Sequence, residues 1–275
     1  MKKINKYILA FAILLVSLSI TEVLYLISKN IPYRIYFDPI GQFAAFGPFL
    51  ASLLFIIFNK KNRIKDLSLK WFNFKLVINS ILLFFMAMVL CLTIEYFFKF
   101  SVIEIPRNGI WLWGHNFNLF IGFLLYAMLF LVFVGFGEEL CWRGFLFNKL
   151  KGLSWLELVI SINLIWSLWH LPVYMRYGNV ISFIFFTVSC FEFGIILMYL
   201  RVKTNSVIPA MLLHALYNTI FIIVSKTMKP EVQYLSGFPN IIMLVVLSPL
   251  AIYYYKKGKV IYNERIYKNT FANKS

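Results

Sequence analysis

Eight apolar runs, at about 7–28, 39–58, 76–98, 118–147, 154–172, 180–200, 207–225 and 238–255, take up more than half of the chain. A helix rises 1.5 Å per residue, so about 20 apolar residues cross a hydrocarbon layer roughly 30 Å thick. Lipid offers no hydrogen bonds, so each crossing must satisfy its own backbone, and open runs of this kind do so as helices. The composition agrees. Of 275 residues, 61% are hydrophobic, where a soluble domain sits nearer 45–50%. We therefore expect an all-α, polytopic membrane bundle of about eight transmembrane helices. No repeat or linker divides it, so residues 1–275 read as a single transmembrane domain.

The formal charge of +16 invites a nucleic-acid reading, but its distribution argues for loops at a membrane. With the N-terminus inside, one side receives Lys2, Lys3 and Lys6, the six basic residues from Lys60 to Lys75, Arg143, Lys149, Lys151, Arg201, Lys203, and the six from Lys256 to Lys274. The other side receives only Lys29, Arg34, Lys99, Arg107, Arg176, Lys226 and Lys229. Cytoplasmic loops carry such an excess, so both termini are expected in the cytoplasm, and no nucleic-acid partner is expected. The start, Met1 to Lys6 followed by an apolar run, resembles a signal peptide. The run is too long and lacks a small-x-small cleavage site, so it is expected to stay as the first span. Cys91, Cys141 and Cys190 fall in apolar runs and read as free core thiols. Many Ile, Asn, Lys and Phe residues suggest a bacterial plasma membrane. The stretch from Asn59 to Phe74 reads as an interfacial helix, and Phe100 to Asn118 as an outer loop.

Three short patterns stand out inside the apolar runs: Glu138-Glu139-x-x-x-Arg143, Trp166-x-x-x-His170 and His214-x-x-x-Asn218. A charge at the bilayer centre costs about 2.5–3.5 kcal/mol on insertion scales, so such residues need partners or a cavity. Residues four apart share a helix face. Glu139 and Arg143 can therefore neutralise each other, which leaves Glu138 without a local partner. If spans four and five form a hairpin turning near Gly152 to Ser154, Glu138 and His170 stand about 20–25 Å from the turn. Asn205-Ser206 can cap span seven, with Pro209 in its first turn. The four groups Glu138, His170, His214 and Asn218 can then meet in one cavity, read as reached from the cytoplasm.

Each residue also has a plain reading. Glu139 with Arg143 is a structural ion pair. Glu138 alone can bond a neighbouring helix, His170 can be interfacial, and His214 with Asn218 can be helix–helix glue. Cys141 reads as core, and His115 as a solvated loop residue. Glu192 either lines the cavity or pairs with a neighbour, while Glu22, Glu95 and Glu157 lie near span ends. Gly135, Gly137 and Gly144 allow close helix approach, and Gly137 can alternatively kink the helix beside Glu138. The coincidence of four polar groups in order is what favours a site, in a motif-bearing core at about 118–225.

These three motifs, in this order, resemble the CAAX protease and bacteriocin-processing family of intramembrane proteases, which includes type II CAAX prenyl endopeptidases. The resemblance spans about 135–220. It implies that Glu138 is the general base activating a water, that His170 shares that water, and that His214 and Asn218 donate to the oxyanion. Glu139 and Arg143 would be a supporting pair. The family usually has Phe where this chain has Trp166, and an aromatic is kept for packing. The implied activity is an endopeptidase acting on a membrane-associated or secreted peptide or protein near the cytoplasmic half of the bilayer, in bacteriocin self-immunity or peptide maturation. Family members are described both as metalloproteases and as metal-independent glutamate proteases. Metal-independent water activation is the expectation, with no cofactor. The alternative is a divalent metal such as zinc on Glu138, His170 and His214. Two rivals stay open: a non-catalytic immunity or interaction protein, and a transporter using Glu138 as a protonation switch.

Overall fold

The computed structural model describes residues 2–29, 41–58, 64–97, 109–112, 115–177, 179–227 and 241–272. Among the described residues the chain is all-α apart from one small hairpin. Helix α1 is Lys3–Lys29. A 3-10 turn, Gly41–Phe46, leads into α2, Gly47–Phe58. Then come α3, Ile78–Phe97, and the strands β1, Ile110–Leu112, and β2, His115–Phe117, paired antiparallel. Helix α4 runs over Leu119–Leu150. It is followed by α5, Trp155–Trp169, α6, Leu171–Tyr177, α7, Val180–Thr204, α8, Ile208–Thr227, and α9, Ile241–Ala272.

A helix stands in each expected apolar run. Four helical stretches, Lys3–Ile27, Leu119–Leu150, Trp155–Arg176 and Val180–Thr204, are long and apolar enough to cross a membrane. Phe43–Phe58, Ile78–Ile94 and Ile208–Ile223 are shorter apolar helices. Large apolar side chains such as Phe11, Met86, Phe120, Met128 and Ile184 are exposed on the outside of the bundle. In water such a surface would aggregate, whereas lipid tails accept it.

Local chemistry sets the helix ends. Ser154 accepts from the Glu157 N–H at 3.3 Å while its own N–H donates to Glu157 Oε2 at 3.0 Å. This reciprocal cap starts α5. Asn118 and Asn179 cap α4 and α7 in the simpler way, each accepting from the N–H three residues on at 2.9 Å. Asn205, with φ 57°, ends α7 in the left-handed conformation, and Ser206 Oγ accepts from the Ile208 N–H at 3.2 Å to open α8. Pro172 has no N–H to continue a helix, so α5 stops at His170 and α6 restarts beyond it.

One stretch differs from expectation. Of the stretch Asn59 to Phe74, residues 59–63 lie outside the described residues, and the rest is no interfacial helix. After the short 3-10 turn Ile64–Leu67, Ser68 takes a left-handed φ of 58°, and Leu67 and Ser68 are buried at 4% and 3% exposure. Its polar groups are claimed by side chains from other elements. Asn148 donates to Asp66 O at 2.7 Å and to Ser68 Oγ at 2.6 Å, and Arg201 donates to Ser68 Oγ at 2.7 Å. The outer loop contains the β hairpin, and its residues 100–108 lie outside the described residues.

The motif helices sit together. Helix α4 packs on α2 and α8, α5 packs on α7, and α7 packs on α8 and α9. The middle of α4, Leu131–Leu146, is wound as a π-helix. Such wide turns are rare and gather at functional sites. Here the π-helical stretch carries Glu138, Glu139 and Arg143.

Candidate active site

The site starts from three charges on the wide turns of α4. Glu138, Glu139 and Arg143 are 4%, 0% and 0% exposed, so each must find its partners inside the protein. Arg143 donates to Glu139 Oε1 at 2.9 Å and to Asn163 Oδ1 of α5 at 3.2 Å. Its guanidinium also lies 4.3 Å from the centre of the Trp166 ring. The expected Glu139–Arg143 pair is therefore present. A third helix joins it, because His214 Nδ1 of α8 is 2.8 Å from the same Glu139 oxygen.

Glu138 is not left alone. The indole N–H of Trp166 donates to Glu138 Oε2 at 2.7 Å. Trp166 thus does more than pack, and the replacement of the family's usual Phe brings a donor to the carboxylate. The second carboxylate oxygen is the one available for further chemistry.

Hydrogen bonding also sets how the two imidazoles present themselves. His170 Nδ1 faces the Trp166 carbonyl oxygen at 3.0 Å. A carbonyl only accepts, so Nδ1 carries the hydrogen, and Nε2 of the neutral ring is left with a lone pair. His214 Nδ1 faces a carboxylate and must likewise carry a hydrogen. Its Nε2 can donate only when the ring is an imidazolium. Glu139, between Arg143 and His214, is placed to compensate that charge.

All four motif residues line one cavity. Glu138, His170, His214 and Asn218 border a space of about 230 Å³ that is also lined by rings including Trp166, Tyr174, Phe186, Phe193 and Tyr217. Glu138, His170 and Asn218 also border a second, larger cavity of about 500 Å³. Its outer wall holds Glu22, Tyr25, Val173 and Arg176. Arg176 bonds Glu22 and lies 4.7 Å from the centre of the Tyr25 ring. Those rim residues sit at the far end of the bundle from Lys3, Lys149 and Lys151. The reading of a cavity reached from the lysine-rich end is therefore not what the geometry supports.

The remaining sequence candidates fall into place. Glu192 lines neither cavity. It accepts from Ser248 Oγ of α9, so it pairs with a neighbouring helix. Glu157 bonds Lys3 in addition to capping α5. Cys141 is fully buried and lines neither cavity. Gly137 lies against backbone, since a Cβ there would come within 2.3 Å of Ala45 O, and Gly144 meets Leu67 O in the same way at 2.5 Å. Asn163 was missed by the motif reading. It is buried at 0% exposure, and it precedes Trp166 and His170 by three and seven residues. That spacing puts all three on one face of α5, which is the signal that identifies it.

The zinc alternative does not fit this arrangement. Among the described residues, no group of three His, Cys, Asp or Glu side chains is placed to hold a metal ion. Glu138, His170 and His214 therefore do not form a ligand set, and no step below is routed through a metal.

Among curated proteins, none matches the chain. Residues 120–220 match the family model of the type II CAAX prenyl endopeptidase Rce1-like proteins, which agrees with the CAAX protease and bacteriocin-processing family that the three motifs resemble.

Proposed function

We propose that the protein is an intramembrane endopeptidase in which Glu138 activates a water for attack on a peptide carbonyl. The observation that carries this reading is the cavity bordered together by Glu138, His170, His214 and Asn218. In the reaction, Glu138 takes one hydrogen of the water, and the His170 Nε2 lone pair holds the other. The hydroxide adds to the carbonyl carbon. The oxyanion that forms is met by the Asn218 amide and by Nε2–H of imidazolium His214, whose charge Glu139 balances. Protonated Glu138 then returns its proton to the leaving amine, and the C–N bond breaks. Donors fixed in a water-poor site need no reorganisation as charge develops. Glu139 is occupied by Arg143 and His214, which is why the base is assigned to Glu138.

The substrate in this reading is a membrane-associated or secreted peptide or protein. Its physiological setting is bacteriocin self-immunity or peptide maturation in a bacterial plasma membrane. We further infer eight crossings with both termini cytoplasmic, a reading supported by the one-sided distribution of Lys and Arg. The test compares membrane and secreted peptides by mass spectrometry in cells carrying the wild-type chain or Glu138→Gln, with membrane levels matched. A fragment lost in the variant supports hydrolysis. Identical peptide sets with an unchanged phenotype favour a binding protein instead.

A further inference from the structure

We propose that Lys70, Lys151 and Arg265, gathered over the buried Arg201, bind the phosphate headgroup of an anionic phospholipid. The proposal depends neither on the protease reading nor on which way the bundle faces across the membrane.

Hydrogen bonds between elements bring these cations together. Arg201, near the end of α7, is 2% exposed. Its Nε donates to Arg143 O at 2.9 Å. Its terminal nitrogens donate to Ser68 Oγ at 2.7 Å, Asn205 Oδ1 at 3.2 Å and Asn148 Oδ1 at 3.3 Å. Each of these acceptors is neutral, so none of them balances the guanidinium charge. Ser206 Oγ donates to Lys70 O, which holds Lys70 beside Asn205. Asn148 precedes Lys151 by three residues. From the other side, Tyr262 of α9 accepts from the Gly152 N–H and donates to Leu153 O, both at 3.0 Å. Arg265 is three residues further along α9, on the same face, and donates to Lys203 O at 3.4 Å.

The cluster lacks a counter-charge. Among the described residues, no carboxylate pairs with Lys70, Lys151, Arg201 or Arg265. Asp66 pairs with Lys149 at 2.6 Å, and Glu157 with Lys3. Glu264 adjoins Arg265 in sequence, but successive helical residues do not face each other. Lys151 registers the imbalance. Partial burial, then the charges of Arg201, Arg265 and Lys70, push its pKa down.

The position of the cluster selects a lipid as the source of the anion. Helix α4 ends at Leu150 and α5 starts at Trp155, while α7 ends at Thr204 and α8 starts at Ile208. The turns between these apolar helices mark one edge of the hydrocarbon layer, where phosphates begin. Trp71, next to Lys70, is 95% exposed, and Leu69 is 46% exposed. Trp favours the headgroup level, and a lipid gives both side chains an apolar contact that a soluble anion does not. The planar fork of Arg265 suits two phosphate oxygens at once, and the lysines add point charges.

The test uses the full chain in nanodiscs of phosphatidylcholine, with phosphatidylglycerol added in steps. Bound lipid is counted by native mass spectrometry, and the unfolding midpoint is read in parallel. The expected result is retention of phosphatidylglycerol with a rise in midpoint, and neither effect from inorganic phosphate. Lys151→Gln with Arg265→Gln should weaken phosphatidylglycerol binding about tenfold or more. Lys256→Gln with Lys257→Gln removes the same charge about 12 Å away along α9, beyond the screening length of about 8 Å, and should leave binding unchanged. Should the first pair unfold earlier in pure phosphatidylcholine, the exposed Lys70→Gln replaces it, with weaker binding again expected. Equal retention of both lipids, an equal rise with inorganic phosphate, or an equal loss from the Lys256 and Lys257 pair overturns the proposal.

Discussion

Trp166 joins two roles that a motif comparison separates. Its ring carries the Arg143 guanidinium at 4.3 Å, and its N–H holds Glu138 at 2.7 Å. A hydrogen bond to a charged group contributes about 1.5–3 kcal/mol. Trp166→Phe keeps the ring and removes the donor, so peptide cleavage should slow by about tenfold to a hundredfold. Helix content and thermal midpoint should stay close to wild type, as read by circular dichroism. An unchanged rate would mean that the indole only packs. Asn218→Ala should lower kcat by about 10²–10³ with little change in KM, because the amide acts on charge that exists only in the transition state. Steady-state kinetics on one substrate checks this. The positions of these residues were legible in the sequence, since spacings of four put them on shared faces. Their hydrogen bonds were not, because Trp166 to Glu138 and His214 to Glu139 each join two helices, and side-chain direction across helices is set by packing.

At the scale of elements, α4 is the helix the site depends on. The eight helical runs and the caps at Asn205 and Ser206 could be read from hydropathy and cap chemistry. The π-helical winding of Leu131–Leu146 could not, because it reflects how α4 meets its neighbours rather than any residue pattern. Gly137 shows the mechanism. Its missing side chain lets α4 approach the backbone at Ala45, where a Cβ would sit within 2.3 Å of the carbonyl oxygen. Gly137→Ala should therefore destabilise the protein by about 1–3 kcal/mol, seen as earlier thermal unfolding in detergent. Equal stability would show that the contact yields easily. The buried pair gives a sharper contrast. Arg143→Met removes one of the two partners of Glu139 and leaves the other, His214, so it should cost up to about 3–5 kcal/mol. Glu139→Gln with Arg143→Met should recover most of that stability, because both charges are gone. Cleavage should nonetheless stay slow in the double variant, since His214 then lacks the carboxylate that supports its charge. Recovery of both stability and rate would separate Glu139 from the reaction.

For the molecule as a whole, the sequence set the fold class through its apolar runs. It did not set which end of the bundle the cavity opens toward. The spacing argument already gave Glu138 and His170 the same height above the turn, but a height has no mouth. The mouth comes from Glu22, Tyr25 and Arg176, contributed by α1 and α6, whose meeting is a matter of tertiary packing. The strap through Leu67 and Ser68 was hidden for a similar reason, since its polar residues find partners only in Asn148 and Arg201 on other elements. The central claim, that Glu138 drives hydrolysis from inside this bundle, is tested most directly by the rate at which purified protein in liposomes cleaves the peptide found by the cellular comparison. The account predicts cleavage by wild type and a rate at least about 10³ lower for an equally stable Glu138→Gln. Equal rates for the two proteins would contradict it.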